Sequence, residues 1–110
     1  MKKKILFIIV YILEISFTLT GQTKTDAETL FNNGNYTEAK NIYEQLLKKK
    51  PKDALLNYCY AKCLYSLGDL SAKNYFDISN KKYPQGHRLM GDLYFSEYHF
   101  EQAAKEYELF

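Results

Sequence analysis

From residue 25 onward the apolar positions recur with the period of a helix, and no segment alternates like a strand over more than four residues. Tyr36, Ala39, Ile42, Tyr43, Leu46 and Leu47 form one stripe of 3.6-residue period. Leu56, Tyr60, Cys63, Leu64 and Leu67 form a second, and Ala72, Tyr75, Phe76, Ser79 and Tyr83 a third. The punctuation between stripes is that of helix ends. Thr25-Asp26-Ala27-Glu28 reads as a capping box, with Thr25 as N-cap. Gly34 is placed for the left-handed residue after a helix, with Asn35 capping the next one and Glu38 three residues on. Lys48, Lys49 and Lys50 favour the negative end of that helix, and Pro51 ends it. Asp53 caps a third helix, Gly68 ends it, and Asp69 caps a fourth that runs to Pro84. A last pair spans about Gly86 to Ser96 and about Phe100 to the terminus, with His99 as the cap. Short turns make consecutive helices neighbours, so the expected architecture is all-α, six helices in antiparallel pairs.

The pairs repeat. Gly34 and Gly68 lie 34 residues apart, and Pro51 and Pro84 lie 33 apart. Ala39-Lys-Asn-Ile-Tyr43 returns as Ala72-Lys-Asn-Tyr-Phe76 and as Ala103-Ala-Lys-Glu-Tyr107. Small residues precede each: Ala27, Ala61 and Gly91. These should meet Ala39, Ala72 and Ala103 where the helices of a pair cross at 8–10 Å. Tyr43, Phe76 and Tyr107 should fill the gap to the following unit.

A small residue in the first helix, a Gly-Asp-Tyr-like turn, Ala-x-x-x-aromatic in the second helix and a closing proline resemble the tetratricopeptide repeat. The turns here are Gly34-Asn35-Tyr36 and Gly68-Asp69-Leu70. The resemblance implies a right-handed solenoid of about three helix-turn-helix units, over about 25–51, 53–84 and 86–110, the last incomplete. The chain departs from the pattern in three places. Thr23 and Asp26 stand where the first unit would carry an aromatic or leucine. One residue fewer separates Gly68 from Ala72, and Tyr98-His99-Phe100 replaces the third Gly-Asp-Tyr. Tyr98 must avoid the left-handed conformation or accept strain.

The first 21 residues have a different character. Three lysines, an unbroken apolar run from Ile5 to Leu13 and small or hydroxyl residues up to Gly21 have the layout of a secretory signal peptide. Nine apolar residues before Glu14 are too few for a membrane span of about 20. A signal peptide over 1–21 and a mature domain over 22–110 are expected, with no stable membrane insertion after cleavage. Loss of Lys2, Lys3, Lys4 and Glu14 takes 15 basic and 13 acidic residues to 12 of each. A neutral mature chain is a poor nucleic-acid binder. The leader and repeats together resemble the N-terminal repeat region of an exported bacterial envelope protein, in the periplasm or cell envelope.

No Gly-rich phosphate loop, H-E-x-x-H or C-x-x-C occurs among these residues, so no enzyme, metal or cofactor is expected. Cys59 and Cys63 lie four apart on one helix and read as small buried hydrophobes. In the resembled family the first helix of each unit lines a concave face that binds peptides. Carried onto this chain, that face takes Phe31 from the first unit, Tyr58, Lys62 and Tyr65 from the second, and Arg88, Asp92 and Phe95 from the third. Phe31, Tyr65 and Phe95 are expected to form an aromatic row. The implied role is protein–protein interaction with a peptide or protein partner. The alternative is a structural segment that packs on a downstream domain or subunit and leaves no free groove. The last helix stops about seven residues short of a full unit, and Phe100, Ala104, Tyr107 and Phe110 leave an apolar stripe. Self-association through that helix, or a continuation of the natural product past Phe110, is expected.

Overall fold

A computed structural model describes residues 23–110. The expected signal peptide lies outside the described residues. Within them are six helices: α1 over residues 23–32, α2 (Tyr36–Lys49), α3 (Ala54–Ser66), α4 (Ala72–Ser79), α5 (Gly86–Ser96) and α6 (Phe100–Leu109). No strand is present among the described residues. From α2 onward each helix packs on the next, and α3 also touches α5.

The turn inside each pair is built the same way three times. Asn35 N–H donates to Leu30 O and Gly34 N–H to Phe31 O, which is the Schellman arrangement. Asp69 and Gly68 repeat it on Leu64 and Tyr65, and His99 and Tyr98 repeat it on Tyr94 and Phe95. Gly34 and Gly68 take φ of 82° and 74° without a Cβ to obstruct them. Tyr98 takes φ of 64° at the equivalent place. Of the two courses open to Tyr98, the chain accepts the strain: three turns in register demand one geometry.

The caps differ from expectation in detail. Thr25 lies inside α1, because residues 23 and 24 are already helical, and its carbonyl accepts from Thr29 Oγ1. Asp53 does cap α3, accepting from Leu56 N–H at 2.9 Å. Asn35 and His99 stand at the N-cap positions of α2 and α6, yet neither side chain bonds the helix. Asp69 does not cap α4. Its carboxylate accepts from the Ser71 amide and hydroxyl instead, and those bonds hold its carboxyl below the usual carboxylate range. That local turn uses up the residues between Gly68 and Ala72 and delays the helix. At its other end α4 stops at Ser79, short of Tyr83. A residue before proline is disfavoured in the α region, and the chain leaves the helix early, with Tyr83 N–H returning to Ser79 O at 2.8 Å.

The core sits where the helices cross. Ala27, Ala39, Ala61 and Ala72 are fully buried and Ala103 nearly so. Gly91 is buried as well. A Cβ built on Gly91 would fall 2.4 Å from Tyr107 Cε1, so the glycine is there to admit that ring. Phe76 is fully buried and reaches the next unit, within 2.9 Å of where a Gly86 Cβ would stand. Tyr43 is likewise buried, and desolvation raises its phenol above the ordinary tyrosine range. Tyr107 departs from the pattern: it lies over Gly91 of its own unit and remains 41% exposed. Leu67, expected on the inner face of α3, is exposed because it is the C-cap at the turn. Both cysteines are free thiols. Burial pushes Cys63 up to about 11, as befits a small apolar filler.

Candidate functional site

Asp53 fixes the start of α3, and from there Tyr58, Lys62 and Tyr65 follow at i, i+4 and i+7, hence on one face. Arg88, Asp92 and Phe95 repeat the spacing on α5. Phe31 comes from the last turn of α1, just before the Gly34 turn. Their contacts sort the seven residues into three groups.

The first group joins Phe31, Tyr58 and Lys62. Lys62 Nζ lies 4.9 Å from the centroid of each ring, Phe31 and Tyr58. Phe31 is held edge-on by Tyr36 at 5.1 Å. Tyr58 stacks on Tyr83 at 5.1 Å, with the planes only 12° apart, and meets Phe76 edge-on. Burial raises the Tyr58 hydroxyl above its ordinary value. Phe31, Tyr58, Lys62 and Tyr83 wall a cavity of about 320 Å³ between α1, α3 and the segment leading into α5. Lys24, Glu28, Leu55, Cys59 and Gln85 complete much of its lining. The Cys59 thiol is raised by desolvation and is therefore a poor nucleophile here.

The second group centres on Asp92. Tyr65 Oη donates to Asp92 Oδ2 at 2.9 Å and Tyr107 Oη to Asp92 Oδ1 at 2.7 Å. Arg88 stands 3.8 Å from the same carboxylate. One acid thus ties α3 to α5 and α5 to α6. The bond to Asp92 pushes Tyr107 up to about 12, while Tyr65 is raised first by burial and then by the same carboxylate. Tyr65 spends its hydroxyl within the fold.

Phe95 belongs to a third, exposed group. It leans on Phe100 at 5.2 Å, and Phe100 is met edge-on by Tyr98. These rings are 54–80% exposed. Phe31 meets Tyr36 and Phe95 meets Phe100, while Tyr65 turns its hydroxyl to Asp92, so each of the three expected groove rings is held by a partner of its own. Sequence reasoning also missed Tyr83 and Gln85. Their signal was the break before Pro84, which turns the connecting segment back toward α3.

Among the described residues no three His, Cys, Asp or Glu side chains are grouped so as to hold a metal ion. No helix of the described residues is long and apolar enough to cross a membrane.

A family model of the tetratricopeptide repeat matches residues 30–72. The match begins in the last turns of α1, runs through α2 and α3, and ends at the first residue of α4. The all-α chain therefore has a tetratricopeptide-like helical-repeat fold. Repeats of this family generally mediate protein–protein interaction and are typically non-catalytic. Comparison with curated proteins and with solved structures gave no match.

Proposed function

We propose that this chain is a non-catalytic interaction module of a bacterial cell envelope, exported by a signal peptide over residues 1–21, that binds a peptide or protein segment along the α1–α3–α5 face. The observation that carries the reading is the open cavity walled by Phe31, Tyr58 and Lys62, which offers aromatic surface and a cation together. Aromatic anchors with a few polar register contacts are the chemistry of peptide grooves. Tyr65, Arg88, Asp92 and Phe95 extend the same face. The test is photo-crosslinking from position 55, on the cavity wall, of the full chain in envelope extract. One crosslinked partner, lost on Tyr58→Ala while Glu101→Gln keeps it, supports the groove. Equal labelling in both variants refutes it. Export is tested by intact mass from the native compartment. A mature N-terminus between residues 20 and 24 is expected, and a mass that still includes Met1–Thr20 removes the export reading.

A second reading has its own support. Phe95, Tyr98, Phe100, Leu109 and Phe110 are all more than half exposed in the third unit. Such a patch suits a structural assembly segment that packs on another domain, or self-associates through α6. Concentration-dependent sedimentation, abolished by Phe100→Ser, would favour it.

A further inference from the structure

Asn57, in the first turn of α3, is only 1% exposed, and its amide is half satisfied. Nδ2 donates to Pro51 O at 3.0 Å and to Asp53 O at 2.8 Å, and these two carbonyls fix which way the amide faces. Oδ1 is buried and accepts from no donor among the described residues. A buried acceptor costs free energy until a donor reaches it. Asn57 lines a cavity of about 290 Å³ bounded by α2, α3 and α4. Asn57 and Tyr60 lie three apart and share one face of α3. At 3.6 residues per turn that face is roughly opposite the one carrying Tyr58 and Lys62. The cavity is therefore separate from the one beside Phe31.

The walls narrow the kind of donor that fits. Tyr60 and Tyr75 meet edge-on, with centroids 4.6 Å apart and planes at 89°, and Leu47 adds apolar surface. Glu44 stands on the α2 wall, exposed and without an ion pair, although Lys48 follows one turn later on the same wall. The Glu44 charge is felt inside: Tyr60 is pushed up to about 12, first by burial and next by that carboxylate. A free acceptor on the floor, a carboxylate on the wall and aromatic surface between them suit a cation with several donors. An ammonium is a compact, strongly hydrated point charge. A guanidinium is planar, sheds water more readily, stacks on aromatic rings and carries five N–H donors to divide between two acceptors.

We propose that this cavity takes the guanidinium of an arginine side chain from a partner protein, donating to Asn57 Oδ1 and to the Glu44 carboxylate and lying against Tyr75. The site goes beyond the groove reading above and does not depend on it. Lys48 opposes the ligand. Because Glu44 is exposed, its share is that of a screened surface pair.

The test uses the full chain labelled with ¹⁵N and three acetylated, amidated peptides, Gly-Ser-Xaa-Ser-Gly with Xaa as arginine, lysine or citrulline. Citrulline keeps the shape and most of the donors of arginine and lacks its charge. The arginine peptide should shift the amides of Glu44, Tyr60 and Tyr75 and the side-chain amide of Asn57. It should bind about fivefold tighter than the citrulline peptide, from one exposed ion pair and one ring contact together, and tighter than the lysine peptide. Glu44→Gln should remove most of the advantage over citrulline. Lys48→Gln should tighten the arginine peptide about twofold, an outcome that no folding defect produces. A lysine peptide bound as tightly as the arginine peptide, or a citrulline peptide that matches it, overturns the guanidinium assignment. Shifts confined to Phe31, Tyr58 and Lys62 would place the peptide in the other cavity and refute the site while leaving the groove reading intact. No shift at either place would leave Asn57 Oδ1 to water alone and sink the proposal.

Discussion

Tyr98 offers the sharpest check on the fold, because replacing it should make the protein more stable. A left-handed backbone costs a residue with a Cβ roughly 1–2 kcal/mol. At the two equivalent turns glycine avoids that cost, and a Cβ at Gly34 or Gly68 would meet nothing within 4 Å. The penalty at this position is therefore one of backbone conformation and not of crowding. Tyr98→Gly removes it. Two terms work against the gain. Glycine frees the unfolded chain by about 0.4–1 kcal/mol. The edge contact of Tyr98 with Phe100 at 6.2 Å is also lost, but the ring is 80% exposed and little burial goes with it. The net expectation is a gain of roughly 0.5–1 kcal/mol, and a domain of this size moves about 4–8 °C per kcal/mol in Tm. Urea unfolding followed by circular dichroism reads the difference directly. Gly34→Ala and Gly68→Ala serve as mirror experiments and should each lose about 1 kcal/mol for the same reason. If Tyr98→Gly is destabilising while both alanine variants behave as stated, the cost of φ at 64° is smaller than the ring's contribution and the reasoning fails.

Three further outcomes follow from the packing. Gly91→Ala drives a methyl into the Tyr107 ring and should cost roughly 1–2 kcal/mol; the loss should largely disappear in a Tyr107→Ala background, and an equal loss there would refute the contact. Tyr60 and Tyr107 are pushed up to about 12, so the folded state holds their protons more tightly than the unfolded state and stability should fall as pH rises from 10 toward 12; Tyr107→Phe should flatten that slope, measured as urea midpoints across the alkaline range. Cys63 should resist an alkylating reagent until the chain unfolds, with half-buried Cys59 labelled first; rapid labelling of Cys63 in the folded protein would contradict its place in the core.

The helices were legible because their signals are local. The 3.6-residue stripes and the small residues at Ala27, Ala61 and Gly91 depend on neighbours within one turn or one crossing. Asp53 could be named as a cap because nothing competes for its carboxylate. Asp69 could not, since Ser71 lies two residues away and offers two donors at once. Composition at the cap position was the same, and the difference was a competing turn. Tyr98 illustrates the reverse. Its residue type argues against a left-handed turn, yet the Schellman bonds of α5 and the register of the repeat outweigh roughly 1–2 kcal/mol of local cost. The individual partners of Phe31, Tyr65 and Phe95, namely Tyr36, Asp92 and Phe100, were not legible, because contacts with other elements are not visible from spacing along one helix.

Those partners bear on where a bound segment can be held. Tyr58, Lys62 and Tyr65 on α3 and Arg88, Asp92 and Phe95 on α5 occupy matching steps of two successive units, so the backbone offers both the same opportunity. The middle residue decides the outcome. With an acid there, the tyrosine of the preceding unit and Tyr107 of α6 both close on the carboxylate, and its hydrogen-bonding capacity is spent inside the protein. With a lysine there, the neighbouring rings hold the cation without using its donors, and a cavity stays open beside it. A buried or half-buried polar group is costly until it is paired, so the first step can still gain from a ligand, whereas the second has little left to offer. Affinity should therefore concentrate between the first and second units. Substitutions at Lys62 should be felt by a bound segment far more than substitutions at Asp92, whose loss would instead loosen the junction of the second and third units.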